Sequence, residues 1–272
     1  MIQRHRSLYQ SERIYDSGDK PILVMCADFQ KWVCKHGRLS PSVLVNEVIG
    51  SKFAECWELK TPPICFIEVA EEHVPDSPQN LIQPAYFKKP CFGSLLIKDS
   101  LVIDNTVLPS FKKASYRRKI KNKTDLLKIA LFDIWLGNDD RHHGNSNLLV
   151  DMTEHAHFYF SVFDHGALFN TNNLKYGINL ISYNESLIYS DLYKIMFGRI
   201  NNLSQIVDNI VAEFYLCIAK CEGELSGLLE DIPKEWNIDL DTFEKLIRDN
   251  LFNAEWYTSC VNHFRTLIQE HI

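Results

Sequence analysis

The alternation of apolar and polar residues predicts a small sheet with one helix in the first hundred residues. Residues 22–35 contain two apolar runs rich in β-branched side chains around a polar centre, which is typical of a β-hairpin. Residues 40–59 have apolar side chains at helical spacing behind a candidate N-cap at Ser40, so we expect a helix there. Apolar runs predict further strands at residues 64–70 and 92–100.

The pattern after residue 100 is mainly helical. Residues 124–136 are apolar on nearly all sides, as in a buried helix, and Thr124 is a candidate cap. Two short strands are expected at residues 147–150 and 157–163. Helical periodicity then dominates from about residue 188.

An N-terminal part rich in strands and a C-terminal part rich in helices predict an α+β chain with two lobes. We assign residues 1–90 to the first lobe and residues 91–272 to the second, with the transition between residues 88 and 115. Clefts between such halves are preferred ligand sites, so functional residues are expected where the lobes meet.

Composition and charge narrow the class of protein. The chain has 272 residues, of which 46% are hydrophobic and 24% charged, as in ordinary globular proteins. A net charge of -6 argues against general binding to nucleic acid or to an anionic membrane. The basic residues 116–123 are a local exception, either a solvated loop or a phosphate or partner contact. Since no apolar run approaches the ~20 residues of a membrane span, we expect no integral membrane association.

The eight cysteines are scattered along the sequence. They do not form the paired short spacings of a zinc site, and no secretory signal opens the sequence. Cys217 and Cys221 lie one helical turn apart, a spacing that favours core packing. We therefore expect reduced thiols and a cytoplasmic location.

The densest polar stretch is "GNDDRHHGNSN", between the buried helix and the strand at residue 147. Within it, Asp140 and Asn145 have the spacing D-x-x-x-x-N. Asp164 follows the second strand, and a hairpin of the two strands would bring it close to Asn145. Carboxylate and amide oxygens are the hard donors that Mg²⁺ prefers, so these residues predict a magnesium site.

Phosphoryl transfer requires such a set of groups. One carboxylate accepts the proton of the attacking hydroxyl, while an amide oxygen and a second carboxylate hold Mg²⁺ against the phosphates. A cation on the phosphates is also needed, and Lys35 at the end of the predicted hairpin can supply it, with Glu47 on the next helix as its partner. We expect Lys35 to face the cleft and to pack little.

Two parts of the sequence resemble a known family. "GNDDRHHGNSNLL" followed by "FDHG" resembles the catalytic segment of HipA-like kinases and is also similar to that of phosphatidylinositol kinases. "LVNEVIGSKFAECWELKTPP" and "FGSLL" resemble the HipA-like group more closely. The resemblance covers roughly residues 15 to 170 and does not extend to the helical tail.

The resemblance implies a protein-kinase-like fold that uses ATP and Mg²⁺ and transfers phosphate to a hydroxyl, often a protein serine. By position, Asp140 would be the catalytic base, Asn145 and Asp164 the metal ligands, and Lys35 the phosphate anchor. HipA-like proteins often act as toxins held by a partner protein, so a regulatory, antitoxin-like partner is also implied.

The sequence departs from common kinase patterns at the loop that covers the phosphates. It contains neither G-x-G-x-x-G nor a Walker pattern. The best candidate is residues 15–22, where Ser17 and Gly18 could offer backbone amides, although an ordinary turn fits as well. The absence of A-P-E argues against the eukaryotic protein-kinase branch.

Other residues near the polar stretch allow further interpretations. His142 either orients the catalytic loop or is a structural histidine, and a transition-metal site made by the neighbouring histidines is a weaker alternative. We expect Arg141 to fix the loop through a carboxylate and Asp133, inside the apolar helix, to need donors from the loop or from Arg141. A serine hydrolase is disfavoured because G-x-S-x-G is absent.

Two classes of function stay open at this point. An active kinase is our first prediction, because a pure binding protein has no physical need for Asp140, Asn145, Asp164 and Lys35 together. A kinase-like binding module or pseudokinase that regulates a partner is the second. Within the kinase class, a lipid or small-molecule hydroxyl is an alternative to a protein serine or threonine.

Overall fold

The computed structural model describes residues 1–11, 13–77 and 81–272. In this part of the chain the strands are β1 (Arg4–Arg6), β2 (Arg13–Ile14), β3 (Ile22–Met25), β4 (Lys31–Lys35), β5 (Ile64–Glu68), β6 (Cys91–Leu95), β7 (Ser100–Val102), β8 (Leu148–Asp151) and β9 (Tyr159–Val162). The α-helices are α1 (Pro41–Cys56), α2 (Leu108–Phe111), α3 (Ala114–Lys119), α4 (Asp125–Leu136), α5 (Leu168–Asn172), α6 (Asp191–Phe197), α7 (Leu203–Glu230), α8 (Leu240–Leu251) and α9 (Ala254–His271).

The first six strands form one sheet in the order β1-β5-β6-β4-β3-β2. β1 pairs with β5 in parallel and the other neighbours are antiparallel. The predicted hairpin is confirmed, with Leu23 opposite Val33 across β3 and β4. The proposed lobe boundary after residue 90 falls directly before β6, so this sheet extends past it; the division of the chain into lobes stays a prediction.

The predicted strand at residues 92–100 is two strands in the structure. β6 belongs to the large sheet, whereas β7 opens a second antiparallel sheet of the order β7-β8-β9. β8 and β9 form the expected hairpin, with Leu148 opposite Val162. This hairpin places the residues before β8 beside the residues after β9.

Helix α1 begins as its sequence predicts. The Ser40 hydroxyl accepts a hydrogen bond from the Val43 amide at 3.5 Å, and Pro41 occupies the first turn. Near the other end of the helix, the Phe53 and Trp57 rings lie 5.6 Å from the ring of Trp135 in α4. α1 therefore packs into the helical part of the molecule as well as against the sheet.

Helix α4 is buried along nearly its whole length, as predicted, but it does not begin with the predicted cap. Thr124 has helical dihedral angles and its side chain makes no capping hydrogen bond. The side chain of Asn122 donates to the Asp125 carboxylate at 2.9 Å instead. At the other end Gly137 adopts φ 58°, a left-handed conformation that suits glycine, and it ends the helix where the polar loop starts.

The tail helices α6 to α9 complete the larger hydrophobic core, to which α1 and α4 also belong. A smaller core that contains Ile22, Val24, Cys34 and Ile67 lies on the large sheet. The two parts are tied together by Trp236, whose indole donates to the Pro90 carbonyl at 2.7 Å. A large sheet followed by a mainly helical part is the α+β architecture that the sequence predicts.

All eight cysteines are free thiols in the structure. Throughout the described residues, every helix is too short or too polar to cross a membrane.

Candidate active site

One ammonium group and three carboxylates meet at the end of β4. The Lys35 Nζ atom lies 2.5 Å from Glu47 Oε1, 2.6 Å from Asp164 Oδ1 and 3.0 Å from Asp19 Oδ2. β4, α1 and the turn after β9 therefore deliver the three predicted residues to one place. Asp19 is a fourth member that the sequence did not reveal.

Lys35 is more deeply buried than expected. The residue is only 8% exposed, so the expectation that it packs little is wrong. Glu47 is also buried, whereas the Asp164 side chain is 33% exposed. The cluster therefore has a closed side at Glu47 and an accessible side at Asp164.

The pKa values in this cluster reflect competition between burial and charge. Burial would lower the pKa of Lys35, but Glu47, Asp164 and Asp19 together raise it well above its ordinary value. Burial raises the pKa of Glu47 to about 7 against the opposing effect of Lys35. Burial would also raise the pKa of Asp164, but the contact with Lys35 holds it below the ordinary value. Asp164 therefore stays anionic at neutral pH.

Two glycines permit the close approach that forms this cluster. A Cβ atom on Gly50 of α1 would lie 2.3 Å from the Cβ of His165. A Cβ atom on Gly166 would lie 2.9 Å from Val43 Cγ1. Because both positions lack a side chain, the His165 amide can donate to Glu47 Oε2 at 2.9 Å.

The predicted base, Asp140, has its carboxylate held by two amide side chains. Asp140 Oδ2 accepts a hydrogen bond from Asn145 Nδ2 at 2.9 Å and another from Asn147 Nδ2 at 3.0 Å. Both bonds go to the same oxygen, which fixes the orientation of the carboxylate. Asn147 was missed at the level of sequence because only the four-residue gap to Asn145 was considered.

His142 stabilises the turn that carries Asn145. The two residues exchange backbone hydrogen bonds of 2.9 and 3.0 Å, and His142 Nδ1 accepts the Gly144 amide at 3.1 Å. These contacts favour a role for His142 in shaping the loop. A role of His142 in catalysis, through orientation of the catalytic loop, stays a prediction.

A buried ion pair anchors the other side of the loop. Arg141 is fully buried and donates to the Asp133 carboxylate of α4, which also accepts Asn138 Nδ2 at 2.9 Å. Arg141 donates further to the Phe163 carbonyl at 2.8 Å. The expected fixation of the loop through a carboxylate is therefore confirmed, and Asp133 has the donors that it was expected to need.

The same region joins the loop to Asp164. The Phe163 amide donates to the Asn147 carbonyl at 3.3 Å, directly before Asp164 turns away with φ 60°. A left-handed conformation is uncommon outside glycine and here redirects the chain after β9. The loop of Asp140 and the carboxylate of Asp164 thus share one backbone framework.

Ser17 and Gly18 lie on the surface near this cluster. Both are exposed, and the Lys20 amide donates to the Ser17 carbonyl at 3.2 Å, which forms a turn. A Cβ atom on Gly18 would meet no other atom within 4 Å. The turn adjoins Lys35 through Asp19, but phosphate binding by Ser17 and Gly18 stays a prediction.

The donor set fits a magnesium ion that also binds ligand phosphates. Within the described residues, Asn145 Oδ1 accepts no hydrogen bond from the protein, and the Asp164 carboxylate is partly exposed. Oxygen donors of these types are those that Mg²⁺ takes in proteins, and magnesium binding by Asn145 and Asp164 stays a prediction. The same part of the chain contains no group of three His, Cys, Asp or Glu side chains placed to hold a metal.

Comparisons with solved structures place this fold among known kinases. The Helicobacter pylori proinflammatory kinase CtkA is similar with a TM-score of 0.55 and 12% identity, over 97% of this chain and 99% of that one. HipA, in the crystal structure of a Shewanella oneidensis toxin–antitoxin complex with HipB and operator DNA, has a TM-score of 0.31 and 14% identity, over 92% of this chain and 57% of that one. Curated proteins gave no match.

A family model gives the most specific result. The model described as HipA-like kinase matches residues 11–255. The match extends beyond residue 170, where the sequence resemblance had ended, and includes most of the helical tail. The chain belongs to the HipA-like kinase family.

Proposed function

We propose that this kinase transfers the γ-phosphate of ATP, with Mg²⁺, to the hydroxyl of a protein serine or threonine. The observation that supports the proposal most is the contact of Lys35 with both Glu47 and Asp164, at 2.5 and 2.6 Å. In protein kinases, a strand lysine paired with a helix glutamate and an aspartate that holds Mg²⁺ must both be in place for phosphoryl transfer.

Each residue has a distinct task in this proposal. Lys35 binds the phosphates, and Glu47 holds its ammonium group in position. Asn145 and Asp164 offer oxygen ligands. Asp140 accepts the proton of the acceptor hydroxyl, and its two amide donors keep the carboxylate oriented toward that group. When bound, Mg²⁺ neutralises the charge that develops on the phosphate oxygens.

The charge of the site explains why a nucleotide with a metal ion fits. Lys35 faces Glu47, Asp164 and Asp19, so negative groups outnumber positive groups before a ligand binds. A phosphate alone would meet this surplus as repulsion, whereas a divalent cation offsets it. We therefore expect nucleotide binding to depend strongly on Mg²⁺.

A protein acceptor is favoured over a lipid acceptor by electrostatics. The net charge of -6 opposes attraction to an anionic membrane surface. In the basic segment at residues 116–123, Arg117 already donates to the carbonyls of Phe111 and Lys112 at 2.6 and 2.9 Å. An antitoxin-like partner protein and a cytoplasmic location are further proposals that rest on family membership alone.

The decisive experiment combines binding with turnover. The purified chain is incubated with labelled ATP, with and without Mg²⁺ and cell lysate, and phosphosites are mapped by mass spectrometry. ATP at 100 times its Kd should also stabilise the fold by about 2.7 kcal/mol in a melt. Magnesium-dependent label on serine or threonine supports the proposal.

Two outcomes would contradict it in different ways. A thermal shift without any transferred label would favour the binding module. No shift at millimolar nucleotide would exclude the ATP site itself.

A further inference from the structure

The segment after the Asp164 turn contains an unusual run of backbone conformations. In α5, Phe169, Asn170, Thr171 and Asn172 have φ values of 61°, 48°, 55° and 69°. Left-handed backbone brings Cβ close to the following carbonyl oxygen, so four such residues without a glycine are energetically unfavourable. A conformation of this kind persists only where surrounding contacts determine it.

On one side, this left-handed turn (residues 169–172) is hydrogen-bonded to the catalytic loop (residues 137–147). The Asn170 amide donates to the Gly137 carbonyl at 2.7 Å. The Thr171 hydroxyl donates to Asp139 Oδ1 at 3.0 Å. Gly137 begins the loop and Asp139 directly precedes Asp140, so the turn contacts the loop at two points close to the proposed base.

On the other side, the turn is bonded to α1. Asn46 Nδ2 donates to Asn172 Oδ1 at 2.8 Å and to the Gly166 carbonyl at 3.0 Å. Asn46 is completely buried and adjoins Glu47, the partner of Lys35. A side chain beside the Lys35 cluster thus reaches the turn that contacts the catalytic loop.

We propose that the left-handed turn holds the catalytic loop in register with α1, and that Thr171 and Asn46 are positioning residues for Asp140. The inference rests on the proposed function of Asp140. Asn145 and Asn147 fix the carboxylate of Asp140, but its backbone also needs a fixed position, and Asp139 provides the adjoining point of attachment. A general base must be held within tenths of an ångström of its working geometry, so this attachment contributes to the rate.

The environment of Asp139 supports this role. Burial raises the pKa of the Asp139 carboxyl, and the hydrogen bond from Thr171 partly offsets that rise. Thr171 itself is exposed, so the contact lies at the surface and only its Asp139 side is partly buried.

Two variants and one control distinguish the effect of the Thr171 hydroxyl from the effect of the size of its side chain. Thr171→Val removes the donor with little change in shape, and Thr171→Ser keeps the donor. Thr258→Val is the matched control, because Thr258 is also exposed and its hydroxyl donates to the Ala254 carbonyl on α9 at 2.8 Å. Hydrogen exchange of the peptide that covers residues 137–147 reports loop opening without any need for turnover.

We expect Thr171→Val to speed exchange of this peptide about tenfold and to lower kcat about tenfold, with KM for ATP within about twofold. Thr171→Ser should restore both values, and Thr258→Val should change neither. Unchanged exchange in Thr171→Val, or faster exchange with an unchanged kcat, would overturn the inference. So would a Thr171→Ser variant as impaired as Thr171→Val, because bulk rather than the hydroxyl would then matter.

Asn46→Ala tests whether α1 acts through the same turn. If it does, the loss of kcat in the double variant with Thr171→Val should be smaller than the product of the two single losses. A simple product would overturn the shared route. If Asn46→Ala fails to fold, the Thr171 series still decides. A wild-type chain that transfers no phosphate would refute the proposed function, whereas the exchange measurements would still decide whether the turn holds the loop.

Discussion

Two buried ionic clusters lie close together in this protein and differ in how their charges are matched. Arg141 donates to one carboxylate, that of Asp133, and to the Phe163 carbonyl. Lys35 meets carboxylates alone, and there are three of them. The first cluster is balanced in charge, and the second has an excess of negative charge.

This difference in charge balance indicates that the Arg141 cluster stabilises the fold, whereas the Lys35 cluster is suited to bind a ligand. A guanidinium group has fixed, planar donors, and those of Arg141 are directed at α4 and at the residue before Asp164. An ammonium group is a compact charge that can exchange its partners, and one partner of Lys35 is partly exposed. We therefore expect mutations at Arg141 to affect stability, and mutations around Lys35 to affect ligand binding.

The largest expected effect is on the framework pair. Arg141→Met leaves the Asp133 carboxylate buried without its cation, which should lower the free energy of unfolding by about 3–5 kcal/mol in urea denaturation. Arg265→Met is the control, because Arg265 pairs with Asp208 on the surface and should cost less than about 1 kcal/mol. Equal losses of unfolding free energy in the two variants would show that the Arg141–Asp133 pair stabilises the fold no more than a surface pair does.

The second effect concerns the loop that both clusters flank. Asp140→Asn can still accept both amide hydrogen bonds but no longer accepts a proton, so kcat should fall by ~10²-fold or more. Asp139→Asn keeps an acceptor for Thr171 and should cost far less. The measurement is phosphate transfer by each variant beside a melt of each. Full activity in Asp140→Asn would remove the assigned base.

The third effect is on nucleotide binding. Lys35→Met removes the ammonium group from the exchangeable cluster, so the stabilisation of about 2.7 kcal/mol at 100 times the Kd should be largely lost. Lys220→Met is the control, because Lys220 forms an exposed ion pair with Glu58. This variant should keep the stabilisation by ATP. Thermal melts with and without Mg·ATP measure both. An unchanged shift in Lys35→Met would mean that Lys35 does not bind phosphate.

The smallest effect is a dependence on pH. Burial raises the pKa of Asp133 to about 6 against the opposing effect of Arg141. A raised carboxyl pKa means that the folded state holds a proton that the unfolded state releases, so this contribution is present at low pH and is lost as pH rises through about 6. Relative to Asp133→Asn, the wild type should gain up to about 1.4 kcal/mol as pH falls from 6 to 5. A flat difference would indicate that Asp133 stays ionised in this range.

The sequence predicted the elements in which one pattern dominates. The hairpin of β3 and β4, the helix α1 and the buried helix α4 each have a long apolar pattern and clear limits. Prediction was less accurate for short segments, whose sequences are compatible with more than one local structure. The strand expected at residues 92–100 divides between two sheets, and Thr124 does not cap α4 because Asn122 and Asp125 pair there instead.

The site was predictable where spacing fixes geometry. The D-x-x-x-x-N spacing predicted the contact of Asp140 with Asn145, and the strand–helix order predicted that of Lys35 with Glu47. The functional roles of these residues stay predictions. Contacts that depend on tertiary structure left no such signal. Asp19 reaches Lys35 from a surface turn, and the left-handed turn at residues 169–172 contains no glycine to mark it.

The contacts of Trp236 bear on how the large sheet and the helical tail can move relative to each other. Its indole is bonded to the Pro90 carbonyl, and its ring lies 5.5 Å from that of Phe66, edge to face, so the segment between α7 and α8 is attached directly to the large sheet. Separation of the sheet from the helical tail would break this hydrogen bond and this ring contact. We therefore expect a ligand to reach the Lys35 cluster by local motion of the turn at residues 17–20, which contains Asp19, more readily than by separation of the sheet from the tail.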